Sequence, residues 1–258
     1  MNRAARFQNK NIIVTGAASG IGQAVTLRLV EEGATVLAVD LSAPGLQETL
    51  KRAETVAAHG GRASSAQLSI TDESAVRDAI AAFVKEHGHL DSLINMAGIL
   101  SSSHTTDTSL DEFMRIVQIN LGGTFLCCRE ALPHLIESKG NIVNAASTSA
   151  FFGHAYMAAY SASKGAVAAL SQALAREYLN VGVRVNAVAP GGIATPMVAA
   201  QAQSFPEGAD FSLYMNLSRP DQQLGKPDEV AGVIAMLASS DGAFVNGAVL
   251  RIDGGTHG

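Results

Sequence analysis

The chain has 258 residues, 47% hydrophobic and 16% charged, enough to bury one substantial core as a single domain. Lys and Arg number 18 against 23 Asp and Glu, a formal net charge of −5 with no basic block, which excludes a nucleic-acid or anionic-membrane surface and favours a small-molecule partner. No apolar stretch reaches the ~18 residues of a membrane span and polar residues follow the start, so a soluble, cytoplasmic protein is expected.

Val- and Ile-rich runs at 12–14, 35–39, 93–94, 142–143, 183–188 and 249–252 each have the length of a buried strand. Segments of helical periodicity at 21–32, 74–86, 121–136, 157–180 and 227–237 alternate with them. A weaker strand is expected over 63–70, where Ser64, Ser65 and Gln67 dilute the apolar content. Parallel strands need crossovers of about a dozen residues, so the alternation implies βαβ units and an α/β fold: a doubly wound parallel sheet with helices on both faces. The stretch 191–225, with Pro196, Pro206 and Pro220, interrupts the pattern as a long irregular insertion. Its Met197, Val198, Phe205, Phe211, Leu213, Tyr214, Met215 and Leu217 suit either a packed cap or a substrate-lining loop.

Directly after the first strand, Thr15-Gly16-Ala17-Ala18-Ser19-Gly20-Ile21-Gly22 leads into a helix. Glycines there permit a tight turn, and a helix N-terminus offers N–H groups and a positive dipole end to a pyrophosphate. Asp40 ends the second strand, 24 residues beyond Gly16, where a carboxylate accepts hydrogen bonds from an adenosine ribose and repels a 2′-phosphate. With no Lys or Arg at Ala18 or Leu41, NAD is favoured over NADP; the plainer reading of Asp40 is a cap on a helix beginning near Ser42. Cys127 and Cys128, adjacent in a helical pattern, suit burial rather than a disulfide or a metal. The seven histidines form no ligand pair at helical spacing, so no metal is expected. His87 and His89 read as solvated, and His154 as an exposed loop residue whose alternative role is to orient a polar substituent.

Tyr160-Ser161-Ala162-Ser163-Lys164 sets a phenol and an ammonium four residues apart in a helical segment, on one face. A nearby cation favours the phenolate, so the pair reads as proton-transfer machinery. Taken singly, Tyr160, Lys164, Ser147 and Asn120 also have structural readings: a core phenol, a snorkelling lysine, a cap and a buried polar bridge.

The glycine turn, Asn95-Met96-Ala97-Gly98 after the fourth strand, Ser147 thirteen residues before Tyr160 and Lys164 four after it make the chain resemble the short-chain dehydrogenase/reductase family, in its single-domain, NAD-preferring subgroup, from about Asn9 to Asp253. The resemblance implies a seven-stranded Rossmann sheet with NAD across its carboxyl edge, and chemistry between a nicotinamide and an alcohol or carbonyl carbon. It implies Tyr160 as proton donor in reduction and base in oxidation, Lys164 lowering the phenol's pKa and holding the nicotinamide ribose, Ser147 orienting the substrate oxygen, and Asn120 holding a water that links the lysine to solvent. Cofactor positions carried by the resemblance are Gly16, Ser19, Gly20, Ile21, Gly22, Asp40 and Leu41; then Asn95, Ala97 and Gly98 on the adenosine ribose side. Pro190, Gly191, the backbone of Ile193 and the hydroxyl of Thr195 would serve the nicotinamide, beside Tyr160 and Lys164. Ser69, followed by Ile70, stands where the family commonly has an Asp for the adenine amino group, and Met96 replaces a frequent second Asn. Phe151, Phe152, His154, Tyr156 and Met157 are expected at the substrate mouth, favouring a mainly apolar secondary alcohol or ketone. The alternatives are a 3-oxoacyl carrier-protein reductase and a catalytically silent dinucleotide-binding sensor. The alanine-rich helix at 157–180, the helix before it and the last strand are implied contacts of a homotetramer.

Overall fold

Apolar runs buried on both faces become the central parallel strands of a set flanked by the more exposed β3 and β7: β1 Asn11–Thr15, β2 Thr35–Asp40, β3 Arg62–Gln67, β4 Ser92–Asn95, β5 Asn141–Ala145, β6 Arg184–Pro190 and β7 Val249–Ile252. The helices are α1 Gly20–Glu31, α2 Ala43–Val56, α3 Glu73–His87, α4 Leu110–Val117, α5 Thr124–Ser138, α6 Ala158–Glu177, α7 Pro196–Ala202 and α8 Pro227–Ala238. The computed structural model describes residues 5–217, 221 and 223–257; Pro220 and the side chains of Met215 and Leu217 lie outside the described residues. Among the described residues the strands form one seven-stranded sheet in the order β3-β2-β1-β4-β5-β6-β7.

Period-two alternation splits the strand side chains between two cores. Ile12, Val14, Val36, Ile94 and Val143 pack under α1, α2 and α8, whereas Ile13, Leu37, Leu93, Ile142 and Val185 pack under α3, α5 and α6. Each fully buried Ile, Leu or Val contributes about 1.5–3 kcal/mol by leaving water. The strand order reverses direction between β1 and β4, and crossovers leaving to opposite sides open a crevice at the carboxyl ends there.

Three local expectations change. β3 ends at Gln67 rather than 70, and its mostly exposed side chains explain the weak apolar signal, since it is an edge strand. The helix expected from 121 begins further back as a π-helical turn, Gln118–Gly123, continuous with α4 and α5. The segment 191–225 is not irregular throughout: Thr195 caps α7 by accepting from Val198 N, with Pro196 in its first turn, and a 3₁₀ turn follows at Phe211–Leu217. No helix among the described residues is long and apolar enough to cross a membrane.

Candidate active site

The turn after β1 explains its glycines. Gly16 and Gly20 have φ of +68° and +53°. A Cβ on Gly16 would lie 2.7 Å from Ala97 N, and one on Gly22 would lie 2.1 Å from Gly16 O, so side chains are excluded from this cradle. Ser19 is the N-cap residue of α1 and makes no side-chain cap bond, and Ser19, Gly20, Ile21 and Gly22 line the crevice. Asp40 accepts from Ala18 N at 3.1 Å and from Ser42 N at 3.0 Å, tying the turn to the end of β2. It does not cap α2: Ser42 does, accepting from Gly45 N. Leu41 is an exposed apolar wall. Ser69 lies in the loop beyond β3, its Oγ accepting from Thr71 N and paired with Thr71 Oγ1. Ile70 is buried because Gly123 leaves it room; a Cβ there would come within 2.5 Å of Ile70 Cδ1.

Ala97 and Gly98 line the crevice, but Asn95 does not. Its Nδ2 donates to Asn144 Oδ1 at 2.9 Å, inside the sheet beside Cys128, so its side chain is turned away from the crevice. Period-two alternation sends Asn95 inward where its neighbour Met96 faces the crevice. Cys127 and Cys128 are buried thiols, and desolvation pushes Cys127 up to about 12.

Across the crevice, Ser147 begins the 3₁₀ turn after β5, accepting from Ser149 N, and Tyr160 and Lys164 stand one turn apart on α6. All three are buried at its wall. Lys164 Nζ lies 5.7 Å from the Tyr160 ring centroid and donates to Ala145 O at 2.7 Å. Burial pushes the Tyr160 phenol above its usual value, opposed by its hydrogen bond with Ser147. Burial likewise pulls the Lys164 ammonium down to about 8. Desolvation is the larger of these two influences on the phenol.

Asn120 sits in the π-helical turn, fully buried. Its Oδ1 accepts from Ile99 N at 2.8 Å, and its Nδ2 donates to Ile99 O at 2.9 Å and to Ser163 Oγ at 3.0 Å. Its side chain thus clamps the loop after β4 to α6. Gly98 separates Asn120 from Lys164: a Cβ on it would lie 3.0 Å from Asn120 Oδ1 and 3.5 Å from Lys164 Nζ. Pro190, Gly191, Ile193 and Thr195 line the far end. Thr195 Oγ1 accepts from Val198 N, which leaves its proton for another acceptor.

The crevice is continuous, about 700 Å³, from Asp40 and Leu41 at one end to Met197, Val198, Phe205 and Leu224 at the other. Of the five residues expected at its mouth, His154 and Met157 line it. Phe151 is exposed, Phe152 stacks on His257 at 3.9 Å, and Tyr156, at φ +65°, is held away by Asp210 N donating to its hydroxyl and by the Tyr214 ring. Gln201 and Thr148 also line the crevice and were not singled out from sequence. The Thr195-Pro196 cap signal places Gln201 on a helix, but only packing turns it inward.

The histidine readings change too. His87 packs edge-on against Phe83 at 4.7 Å and is half-buried, because the end of α3 folds it back over the ring. His154 is half-buried, with Nε2 shielded and unpartnered, and burial together with His257 pushes it down to about 4. Between about pH 4 and the usual 6.5 the unfolded chain takes a proton that the folded chain refuses, so this contribution is fully present above 6.5 and lost as pH falls to 4. Urea midpoints measured from pH 7 to 4 should therefore fall less for His154→Phe than for the parent; equal slopes would contradict the assignment.

A dinucleotide fits this cradle: a turn with no room for side chains at Gly16 and Gly22, a helix N-terminus and a carboxylate at the end of β2, with the buried phenol, ammonium and hydroxyl lining the same crevice. The profile of the family described as Enoyl-(Acyl carrier protein) reductase matches residues 16–257. The chain is 36% identical to the 3-oxoacyl-(acyl-carrier-protein) reductase of Thermotoga maritima, over 97% of this chain and 98% of that one. It is 35% identical to meso-2,3-butanediol dehydrogenase of Serratia marcescens, over 97% and 95%. A solved short-chain dehydrogenase from Mycobacterium paratuberculosis bound to NAD superposes with a TM-score of 0.87 at 28% identity, covering 97% of this chain and 98% of that one. Fold, motif order and relatives agree: the chain belongs to the short-chain dehydrogenase/reductase family of oxidoreductases.

Proposed function

We propose that the protein is an NAD-dependent oxidoreductase acting on a mainly apolar secondary alcohol or ketone, with Asn120, Ser147, Tyr160 and Lys164 as its working residues. The observation that carries this reading is one crevice joining the glycine turn and Asp40 to the buried Ser147, Tyr160 and Lys164. When bound, NAD supplies a two-electron carrier that exchanges hydride with the substrate carbon. Ser147 donates to the substrate oxygen and holds it against Tyr160, which gives or takes the proton at that oxygen. Lys164 offers its remaining N–H donors to ribose hydroxyls, and its charge favours the phenolate as the alcohol is oxidised. Asn120 is a positioning residue, fixing the β4 loop against α6.

Asp40 supports NAD, since two of its acceptor sites are used by the turn and others remain for ribose hydroxyls, whereas a 2′-phosphate would meet its charge. The catalytic efficiency with NAD should exceed that with NADP by about 10²-fold, and Asp40→Ser should shrink the ratio at least tenfold; parity in the parent enzyme would refute the preference. A 3-oxoacyl carrier-protein reductase is the second reading, favoured by the Thermotoga relative. The deciding experiment follows absorbance of the reduced nicotinamide with NAD and NADP across secondary alcohols, ketones and a 3-oxoacyl thioester. Fastest turnover of the thioester with NADPH would select the second reading, and cofactor binding without turnover a silent sensor.

The reading includes a homotetramer in the cytoplasm. Leu110 and Met114 on α4, Phe125 on α5 and Phe244 before β7 are large exposed apolar side chains that assembly would cover.

A further inference from the structure

The substrate end of the crevice contains a side chain that the chemistry above does not use. Among the described residues lining the crevice, Asp40 and Lys164 alone carry charge, and neither belongs to the outer substrate walls. Those walls are largely apolar, so a carboxylate, phosphate or sulfonate would find no counter-ion there. His154 is the exception that calls for a ligand. Its Nε2 is shielded from solvent without a hydrogen-bond partner, a state that costs stability unless something satisfies it.

The ring is also braced from behind. His257 stands 6.3 Å from it at an interplanar angle of 20° and stacks on Phe152 at 3.9 Å. His257 Nδ1 is 3.2 Å from Asp253 Oδ2, and Arg251 Nη1 donates to His257 O at 2.5 Å. Asp253 in turn packs where Gly191 has no side chain; a Cβ there would lie 2.9 Å from Asp253 Cβ. The C-terminal turn thus presses against the same wall that holds His154. Burial keeps His154 neutral near pH 7, so it presents one N–H donor and one bare nitrogen acceptor, a pair suited to an uncharged hydroxyl or carbonyl.

Resting on the oxidoreductase reading, we propose that His154 is a specificity-determining residue that hydrogen-bonds a second, uncharged oxygen function of the substrate, so that the enzyme prefers a compact diol, hydroxyketone or diketone to the corresponding monofunctional molecule. His154 lines the crevice, and Gln201 lies on the same wall, with Nε2 3.4 Å from Ser102 Oγ and 3.7 Å from Met157 Sδ.

The test compares NAD-dependent oxidation of cyclohexanol, 1,2-cyclohexanediol and 1,4-cyclohexanediol by the parent enzyme, His154→Phe and His154→Gln. The parent should favour at least one diol about tenfold in kcat/KM. His154→Phe should erase most of that ratio, mainly through KM of the diol, and His154→Gln, which retains a donor and an acceptor, should restore part of it. His154→Leu repeats the comparison if the Phe variant melts below the assay temperature. Preference for cyclohexanol over both diols, or a ratio unchanged in His154→Phe, overturns the proposal while leaving the oxidoreductase reading in place. A parent enzyme that oxidises none of the three and reduces neither cyclohexanone nor 1,2-cyclohexanedione overturns both.

Discussion

Tyr160→Phe is expected to lower kcat by about 10²-fold or more while leaving NAD affinity little changed. The variant keeps the ring that α6 buries and loses only the hydroxyl, so packing survives and the transferable proton does not. Burial raises the phenol's pKa, so the parent protein carries it protonated at neutral pH, the form that reduces a ketone. Alcohol oxidation needs the phenolate and should accelerate as pH rises above neutrality, whereas ketone reduction should slow. Both trends should vanish in the residual activity of Tyr160→Phe. Near-normal turnover by the variant, or oxidation fastest in acid, would remove Tyr160 from the proton transfer.

Lys164→Met should separate activity from stability. Turnover should fall by about 10²–10³-fold, since the ammonium that favours the phenolate is gone. Thermal stability near pH 7 should hold or rise. Lys164 is buried, without a carboxylate partner among its hydrogen bonds, and its folded pKa of about 8 lies below the ordinary 10.5. Below 8 both states are protonated and the folded protein bears the full cost of the buried charge; between 8 and 10.5 the unfolded chain binds more protons, so stability rises with pH. Methionine fills similar volume without that cost, at the expense of leaving Ala145 O without its donor, about 1–3 kcal/mol. Calorimetry on both proteins from pH 7 to 10.5 should show the parent gaining on the variant as pH rises. A large fall in Tm at pH 7 for Lys164→Met would mean that the ammonium is structural.

Much of this was legible in the residues alone, and the exceptions share a cause. Central strands such as β1 and β5 are continuous apolar runs because parallel strands are buried on both faces, and that signal is strong. β3 is an exposed edge, so its sequence carries little pattern and its end was placed too far on. The glycine turn, and Tyr160 with Lys164, stood out because local geometry sets their spacing, whereas Ser147 stood out only through the order of the family motif; all line the one crevice. The direction of the Asn95 side chain was not legible because it depends on strand register and on Asn144, 49 residues away. The π-helical turn that brings Asn120 to Ile99 has no periodicity of its own. His154 looked exposed in its loop because its burial is made by His257 and the C-terminal turn, a contact that no local window contains.

The most direct measurement uses secondary alcohols deuterated at the carbinol carbon, with NAD, and reads the mass of the reduced nicotinamide formed. The account predicts NADH heavier by one deuterium, formed by the parent enzyme and suppressed at least 10²-fold in Tyr160→Phe. Unlabelled NADH, or labelled NADH formed at equal rates by both proteins, would contradict it.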